Sequence, residues 1–182
     1  MSSKVKKKIL KLKESSTLVI NEKSKELISE GKKVYQFGFG QSPFPVPEKI
    51  VEALKKNAHR KEYLPIQGLP ELRDNISKYL YKRTGNDYPK ENILITPGSK
   101  EAMLLIHIAF NGEIIIPAPG WVSYEPQAEI GSNRVHWLET SRSNNWFPTG
   151  KELEKKIKLI GKNKNLILII NSPNNPSGAV CK

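Results

Sequence analysis

Polar residues crowd a loop that directly follows an apolar run of the sequence. The run 166–170 reads LILII, and the octet NSPNNPSG (residues 171–178) comes straight after it. A continuous apolar run is typical of a strand buried on both faces of a parallel sheet. Ligands of open α/β sheets bind beyond the carboxyl ends of such strands. The octet is therefore a candidate ligand loop, although Asn, Pro and Gly would also make an ordinary turn.

A second candidate loop contains Gly98, Ser99 and Lys100, between a predicted strand (93–96) and a predicted helix (101–110). Backbone N–H groups after Gly98 would face outward at the positive end of that helix, an arrangement that binds phosphate. The GxxxxGK spacing of a nucleotide-binding P-loop is absent. An ordinary N-cap serine would also explain Ser99, so the loop is a candidate phosphate site.

Trp121 follows the end of another predicted strand, 114–116. Its flat indole suits stacking on an electron-poor ring, and the alternative is a core tryptophan at the start of a helix. Gly38 and Gly40 suggest a dinucleotide fingerprint, but Pro43 occupies the third glycine position, so that interpretation is rejected.

Composition restricts the possible functions. The 182 residues carry a net charge of +12, mostly from lysines spread along the chain, so nucleic-acid binding is an alternative without a recognised motif. Cys181 is the single cysteine and the three histidines lie far apart, so neither a disulfide framework nor a metal site is expected. No apolar stretch of about 18 residues occurs, which predicts neither a membrane span nor a secretory signal and leaves the cytoplasm as the expected location.

Predicted strands alternate with predicted helices, a pattern that indicates an α/β fold with a mainly parallel sheet. The remaining strands are expected at 34–37 and around 135–137. The remaining helices are expected at 24–30, from Pro47, at 69–84, from Trp121 and at 151–160.

The octet resembles a segment of the class I/II aminotransferases, which are fold-type I pyridoxal-phosphate (PLP) enzymes. Four further segments match that family in the same order. They are GFG (38–40), YLPIQGLPEL (63–72), TPGSK (96–100) and WVSY (121–124). The resemblance implies part of the PLP-binding large domain at 47–182, preceded by a basic arm and small-domain segment at 1–46.

The resemblance also implies how PLP would be bound. Asn175 would hydrogen-bond the phenolic oxygen of the cofactor. Gly98, Ser99 and Lys100 would bind its phosphate, and Trp121 would stack on its pyridine ring.

Two further roles follow from the same resemblance. Tyr63 would reach the phosphate bound by a neighbouring subunit, which implies a homodimer. Gly40 would lie beside the substrate carboxylate, although Gln41 and Ser42 replace the acidic residue and proline that are common there in the family.

The implied reaction is transfer of an amino group between an amino acid and a 2-oxo acid. In the family, the Schiff-base lysine, the acid beside the pyridine nitrogen and the carboxylate-binding arginine all follow the octet. No residue here inherits those roles, so a truncated form without catalytic residues is expected. The alternatives are a non-catalytic fragment that binds a ligand or partner, another PLP activity such as a carbon–sulfur lyase, and a nucleic-acid-binding module. An in-frame continuation with a strand-end lysine would distinguish an aminotransferase sequence that is cut short from a non-catalytic fragment that binds a ligand or partner.

Overall fold

A computed structural model describes residues 4–12, 14, 16–38, 40 and 42–181. The chain divides into two compact units: Met1–Gln36 together with Ser99–Lys182, and Phe37–Gly98. The predicted division at residue 46 stays a prediction. No helix within the described residues is long and apolar enough to cross a membrane.

The first unit contains a three-stranded parallel sheet. Its helices are α1 (Lys7–Leu10), α2 (Ser16–Ser29), α5 (Ser99–Ala109), α6 (Tyr124–Gly131) and α7 (Gly150–Ile160), and its strands are β1 (Glu113–Ala118), β2 (Val135–Glu139) and β3 (Leu166–Leu168). The strand order is β2-β1-β3, with Ile114 opposite Val135 on one side and Ile167 on the other. This parallel sheet with flanking helices confirms the predicted α/β fold class.

The central strand β1 forms the core of this unit. Ile114, Ile115 and Ile116 are all fully buried, and three consecutive buried residues require cover on both faces of the sheet because successive side chains point to opposite sides. Helix α6 packs against β1 and β2, α5 packs on α6, and α7 contacts β2. The isoleucine run therefore lies in the most deeply buried strand, with which both β2 and β3 pair.

The second unit is helical and contains α3 (Glu48–Asn57), α4 (Pro70–Thr84) and a short 3₁₀ turn, Lys90–Asn92. Helix α4 ends at Gly85, which has φ +74° and takes the left-handed conformation that favours glycine. The buried Arg73 on α4 donates to the Gln67 side chain at 3.0 Å and to the Lys90 carbonyl at 2.9 Å. These bonds connect α4 to the segments on either side of it.

Two of the predicted strands are wrong. Residues 34–37 and 93–96 form no strand in the structure, since strand assignment requires a paired neighbour. The Ile95 N–H donates one hydrogen bond to the Gln67 carbonyl at 3.0 Å. Two helices also differ in extent, because α2 begins at Ser16 and the helix predicted from Trp121 begins at Tyr124.

A charged cluster lies at the amino edge of the sheet. Glu113, at the start of β1, accepts a hydrogen bond from His136 Nε2 on β2 and one from Lys164 Nζ at 3.1 Å. The bonds from His136 and then Lys164 lower the pKa of the Glu113 carboxyl below its ordinary value of 4.5. Because all three strands begin here, these contacts hold the amino edge together.

The lowered pKa of Glu113 predicts a pH-dependent stability. A carboxyl with a lowered folded-state pKa stabilises the fold fully above its unfolded pKa, and that contribution is lost as pH falls through the folded value. We expect Glu113→Gln to lower the unfolding temperature at neutral pH and to flatten its decline below about pH 4.5. Thermal unfolding followed by circular dichroism between about pH 3 and 7 measures this. Glu154→Gln, which removes an exposed pair with Lys158, is the control, and an unchanged acid slope in Glu113→Gln would contradict the prediction.

Candidate functional site

The carboxyl edge of the sheet gathers the loops that the sequence marked as candidate ligand sites. Because β1 and β3 are parallel neighbours, the loop with Trp121 and the octet 171–178 leave the same edge. Asn174 Nδ2 donates to the Pro119 carbonyl at 3.2 Å and joins the two loops directly. Two of the predicted site loops therefore meet.

Helix α5 brings its amino end to this edge. The helix begins at Ser99 and returns the chain to the start of β1. The Lys100 ammonium lies 5.2 Å from the centroid of the Trp121 ring, which places the first turn of α5 beside the indole. First-turn N–H groups of an α-helix have no acceptor within the helix and form its positive end. This end of α5 can therefore bind an anion.

The Trp121 ring is held by the core. It is partly buried against a buried cluster that includes Ile116, Tyr124 and Ala128. The Tyr124 ring meets it edge-on, with centroids 5.5 Å apart and planes at 85°. Burial raises the pKa of the Tyr124 phenol, so this supporting ring stays neutral. An indole fixed in this way can stack on a flat ligand.

The two adjacent asparagines of the octet differ in their surroundings. Besides its bond to Pro119, Asn174 Nδ2 donates to Ser177 Oγ at 2.7 Å. The Asn174 backbone closes the turn through an N–H bond to the Ala179 carbonyl at 2.8 Å and a carbonyl bond from the Gly178 N–H at 2.7 Å. Asn175 is exposed, and its side chain makes no hydrogen bond within the described part of the chain. Asn174 builds the turn, and Asn175 presents a free amide.

Three predicted site residues belong to the second unit. Gly98 has φ +88°, donates its N–H to the Thr96 carbonyl at 2.7 Å and precedes α5 directly. Tyr63 is fully exposed. Gly40 has open space where a Cβ would lie. The assignment of these three residues to the site stays a prediction.

Sequence reasoning missed Asn174 and Gln127. Gln127 is on α6, is 7% exposed and donates from Nε2 to the Lys100 carbonyl at 2.7 Å. A signal for it was present, because Tyr124, Gln127 and Ala128 have the i, i+3, i+4 spacing of one buried helix face. A glutamine on such a face needs a hydrogen-bond partner.

Comparison with known proteins establishes the family. Residues 32–182 match the family described as aminotransferase class I and II. The chain is 34% identical over 181 residues to an aspartate aminotransferase of Thermotoga maritima, a match that spans 97% of the chain and 47% of that protein. It is 32% identical to an asparagine–oxo-acid transaminase of Streptococcus mutans, over 98% of the chain and 46% of that protein. The chain belongs to the class I and II aminotransferases.

Solved structures share the fold. An aspartate aminotransferase from Thermus thermophilus with maleate matches with a TM-score of 0.88 at 27% identity, over 98% of the chain and 47% of that structure. The alanine aminotransferase of Pyrococcus furiosus matches with a TM-score of 0.85 at 26% identity, over 97% of the chain and 46% of that structure. The chain therefore spans about half the length of the relatives that it matches.

The contrast between the two asparagines predicts a loss of stability on replacing Asn174 and almost none on replacing Asn175. Asn174→Ala removes one side-chain hydrogen bond that joins the two loops and one within the octet, so we expect the free energy of unfolding to fall by about 1 to 2 kcal/mol. Asn175→Ala removes none, and its free energy of unfolding should stay within about 0.5 kcal/mol of wild type. Urea denaturation of both variants measures the difference. A free energy of unfolding for Asn174→Ala as close to wild type as that of Asn175→Ala would show that the turn does not depend on Asn174.

Proposed function

We propose that this chain binds pyridoxal 5'-phosphate and is part of an enzyme that transfers an amino group between an amino acid and a 2-oxo acid. The observation that carries the proposal is the meeting of Lys100 with Trp121 at the amino end of α5. Donors for an anion lie there beside a flat aromatic surface. Membership of the aminotransferase family supports the same reaction.

The described residues fit the chemical groups of this cofactor. The amides of Ser99 and Lys100 suit a phosphate, because a helix amino end favours negative charge. The indole of Trp121 suits the electron-poor pyridine ring. The exposed amide of Asn175 can donate a hydrogen bond to the phenolic oxygen. Gly98 would extend the phosphate loop, since its φ of +88° lies in the region that glycine adopts without strain.

Binding and orientation are the roles proposed for these residues. The cofactor, when bound, supplies the electron sink that weakens the bond from the substrate α-carbon to its proton. Trp121 would fix the plane of the ring, and Asn175 would hold its phenolic oxygen in the charged form. The lysine that moves the proton in family members follows the octet in their sequences, so no residue of this chain is assigned a catalytic role.

A homodimer with shared sites is part of the proposal. Tyr63 is fully exposed and its hydroxyl makes no hydrogen bond in the described part of the chain, so it is available to the phosphate held by a second copy. Gly40, which the resemblance to the family puts beside the carboxylate of the amino acid, is part of the same proposal. A cytoplasmic location also stays a prediction.

The names of the relatives favour amino-group transfer over the alternatives. The proteins from Thermotoga maritima and Streptococcus mutans are both described as transaminating enzymes. A carbon–sulfur lyase would convert a sulfur-containing amino acid and water into a thiol, ammonia and a 2-oxo acid, whereas a transaminase requires a 2-oxo acid as acceptor. Dependence of product formation on an added 2-oxo acid separates the two activities in the whole protein.

Asn175→Ala tests the contact with the cofactor. A hydrogen bond to a charged oxygen contributes about 1.5 to 3 kcal/mol, so we expect weaker PLP binding and a shifted absorbance band for the bound cofactor. Spectrophotometric titration of the full chain with PLP measures both. Asn163→Ala changes an exposed asparagine in the turn before β3, at the opposite edge of the sheet, and should titrate like wild type. An unchanged spectrum and affinity in Asn175→Ala would remove Asn175 from the site.

Tyr63→Phe tests the contribution of the second subunit. If its hydroxyl donates to the phosphate across the interface, its loss should speed PLP release while the mass of the dimer stays the same. Dialysis against buffer, together with light scattering, measures retention and mass. Tyr81→Phe, which makes the same substitution at another exposed tyrosine, is the control. Wild-type retention in a confirmed Tyr63→Phe dimer would refute a shared phosphate site.

A further inference from the structure

Helix α6 makes a buried polar contact with the first turn of α5. Gln127 projects from the face of α6 that also buries Tyr124 and Ala128, and it is 7% exposed. Its Nε2 donates to the Lys100 carbonyl at 2.7 Å, across 27 positions of sequence. Both helices belong to the same unit, and this bond fixes the first turn of α5 against α6.

Two contacts hold Lys100, one through its backbone carbonyl and one through its side-chain ammonium. Its carbonyl accepts from Gln127, and its ammonium lies 5.2 Å from the Trp121 ring centroid. Trp121 is joined to the start of α6 by a hydrogen bond from the Tyr124 N–H to the Trp121 carbonyl at 3.1 Å. The first turn of α5 is therefore connected to Trp121 through Gln127 and the first turn of α6, which begins at Tyr124.

The Lys100 carbonyl has a hydrogen-bond donor other than Gln127. In an α-helix this carbonyl accepts from the N–H four residues later, and the bond from Gln127 uses its second lone pair. Gln127 Oε1, in contrast, is buried and has no hydrogen-bond partner among the described residues. A buried acceptor without a partner is destabilising. An apolar side chain of similar size would remove that penalty, so folding stability alone does not account for a glutamine here.

We infer that Gln127 is a positioning residue that sets the distance between the anion-binding end of α5 and the Trp121 ring. This inference rests on the proposed function. In PLP, covalent bonds hold the phosphate and the pyridine ring at a nearly constant separation. The helix amides and the indole can engage the same molecule only if their own separation matches. Small errors in the placement of binding groups lose much of the gain from such a two-point contact.

Asn133 provides a matched control at the other end of α5. Asn133 is also 7% exposed, and its Nδ2 donates to the carbonyls of Phe110 and Gly112 at 2.9 and 3.2 Å. Its Oδ1 is likewise buried without a partner. The two side chains have the same chemistry and the same burial, and they differ in which end of α5 they hold.

The experiment compares Gln127→Met with Asn133→Leu in the full chain. Both changes remove a buried amide and keep an apolar side chain of similar size. Resonances of the Trp121 indole and of the Ser99 and Lys100 amides are recorded without ligand. We expect them to shift in Gln127→Met and to stay at their wild-type positions in Asn133→Leu. Thermal unfolding of each variant confirms that it is folded, and Gln127→Glu, which replaces the donor by an acceptor of the same size, is measured in parallel.

The second arm measures affinities for PLP and for inorganic phosphate. We expect Gln127→Met to weaken PLP about three- to tenfold, the range for loss of one net hydrogen bond, and to change phosphate affinity by less than about twofold. Asn133→Leu should leave both affinities within about twofold of wild type.

Each outcome bears on a different claim. Unshifted resonances in folded Gln127→Met and Gln127→Glu would overturn the positioning role. Equal weakening of PLP and phosphate would also overturn it, because the effect would then lie in the phosphate site and not in the spacing. Equal weakening of PLP by Gln127→Met and Asn133→Leu would show a general effect of stability and would overturn it as well. Failure of the wild-type chain to bind PLP, with the resonance shifts present, would overturn the proposed function while leaving the link between α5 and Trp121 in place.

Discussion

The parallel pairing of β1 with both of its neighbours is the constraint on which the rest of the first unit depends. Ile114, Ile115 and Ile116 are buried on both faces of β1, and β2 and β3 pair with β1 on either side. Parallel neighbours send their following loops to one edge. The loop with Trp121 and the octet after β3 are far apart in sequence and become neighbours for this reason alone.

Three kinds of interaction then combine at that edge. The amino end of α5 supplies a positive potential, the Lys100 ammonium adds a full charge, and Trp121 supplies an apolar plane. Each of them is weak by itself: a helix end contributes about 0.3 to 1 kcal/mol, and stacking of two aromatic rings contributes about 0.5 to 1.5 kcal/mol beyond burial. Under the proposed function, a ligand that carries both an anion and an aromatic ring would engage all three together, which would select for that class of ligand.

The sequence predicted much of this fold, and its errors have physical causes. The isoleucine run of β1 and the Gly85 stop of α4 were readable because burial and backbone conformation act locally there. The strands expected at 34–37 and 93–96 failed because pairing depends on distant partners that local composition does not reveal. The same limit applies to the site: the motif pointed to Asn175 and Lys100, whereas Asn174 and Gln127 act through contacts with residues 55 and 27 positions away.

The two edges of the sheet use polar groups in opposite ways. At the amino edge, Glu113 accepts from His136 and Lys164, so its charge is neutralised within the fold. At the carboxyl edge, Asn174 is similarly occupied with Pro119 and Ser177, but within the described residues the Asn175 side chain and the first-turn N–H groups of α5 have no such partners. Polar groups that are paired inside a protein stabilise it, and those that are held in place without a partner can be satisfied by a ligand. Under the proposed function, the Asn174 turn and the Gln127 bond would keep the unpaired groups in position, although neither residue is placed against the ligand.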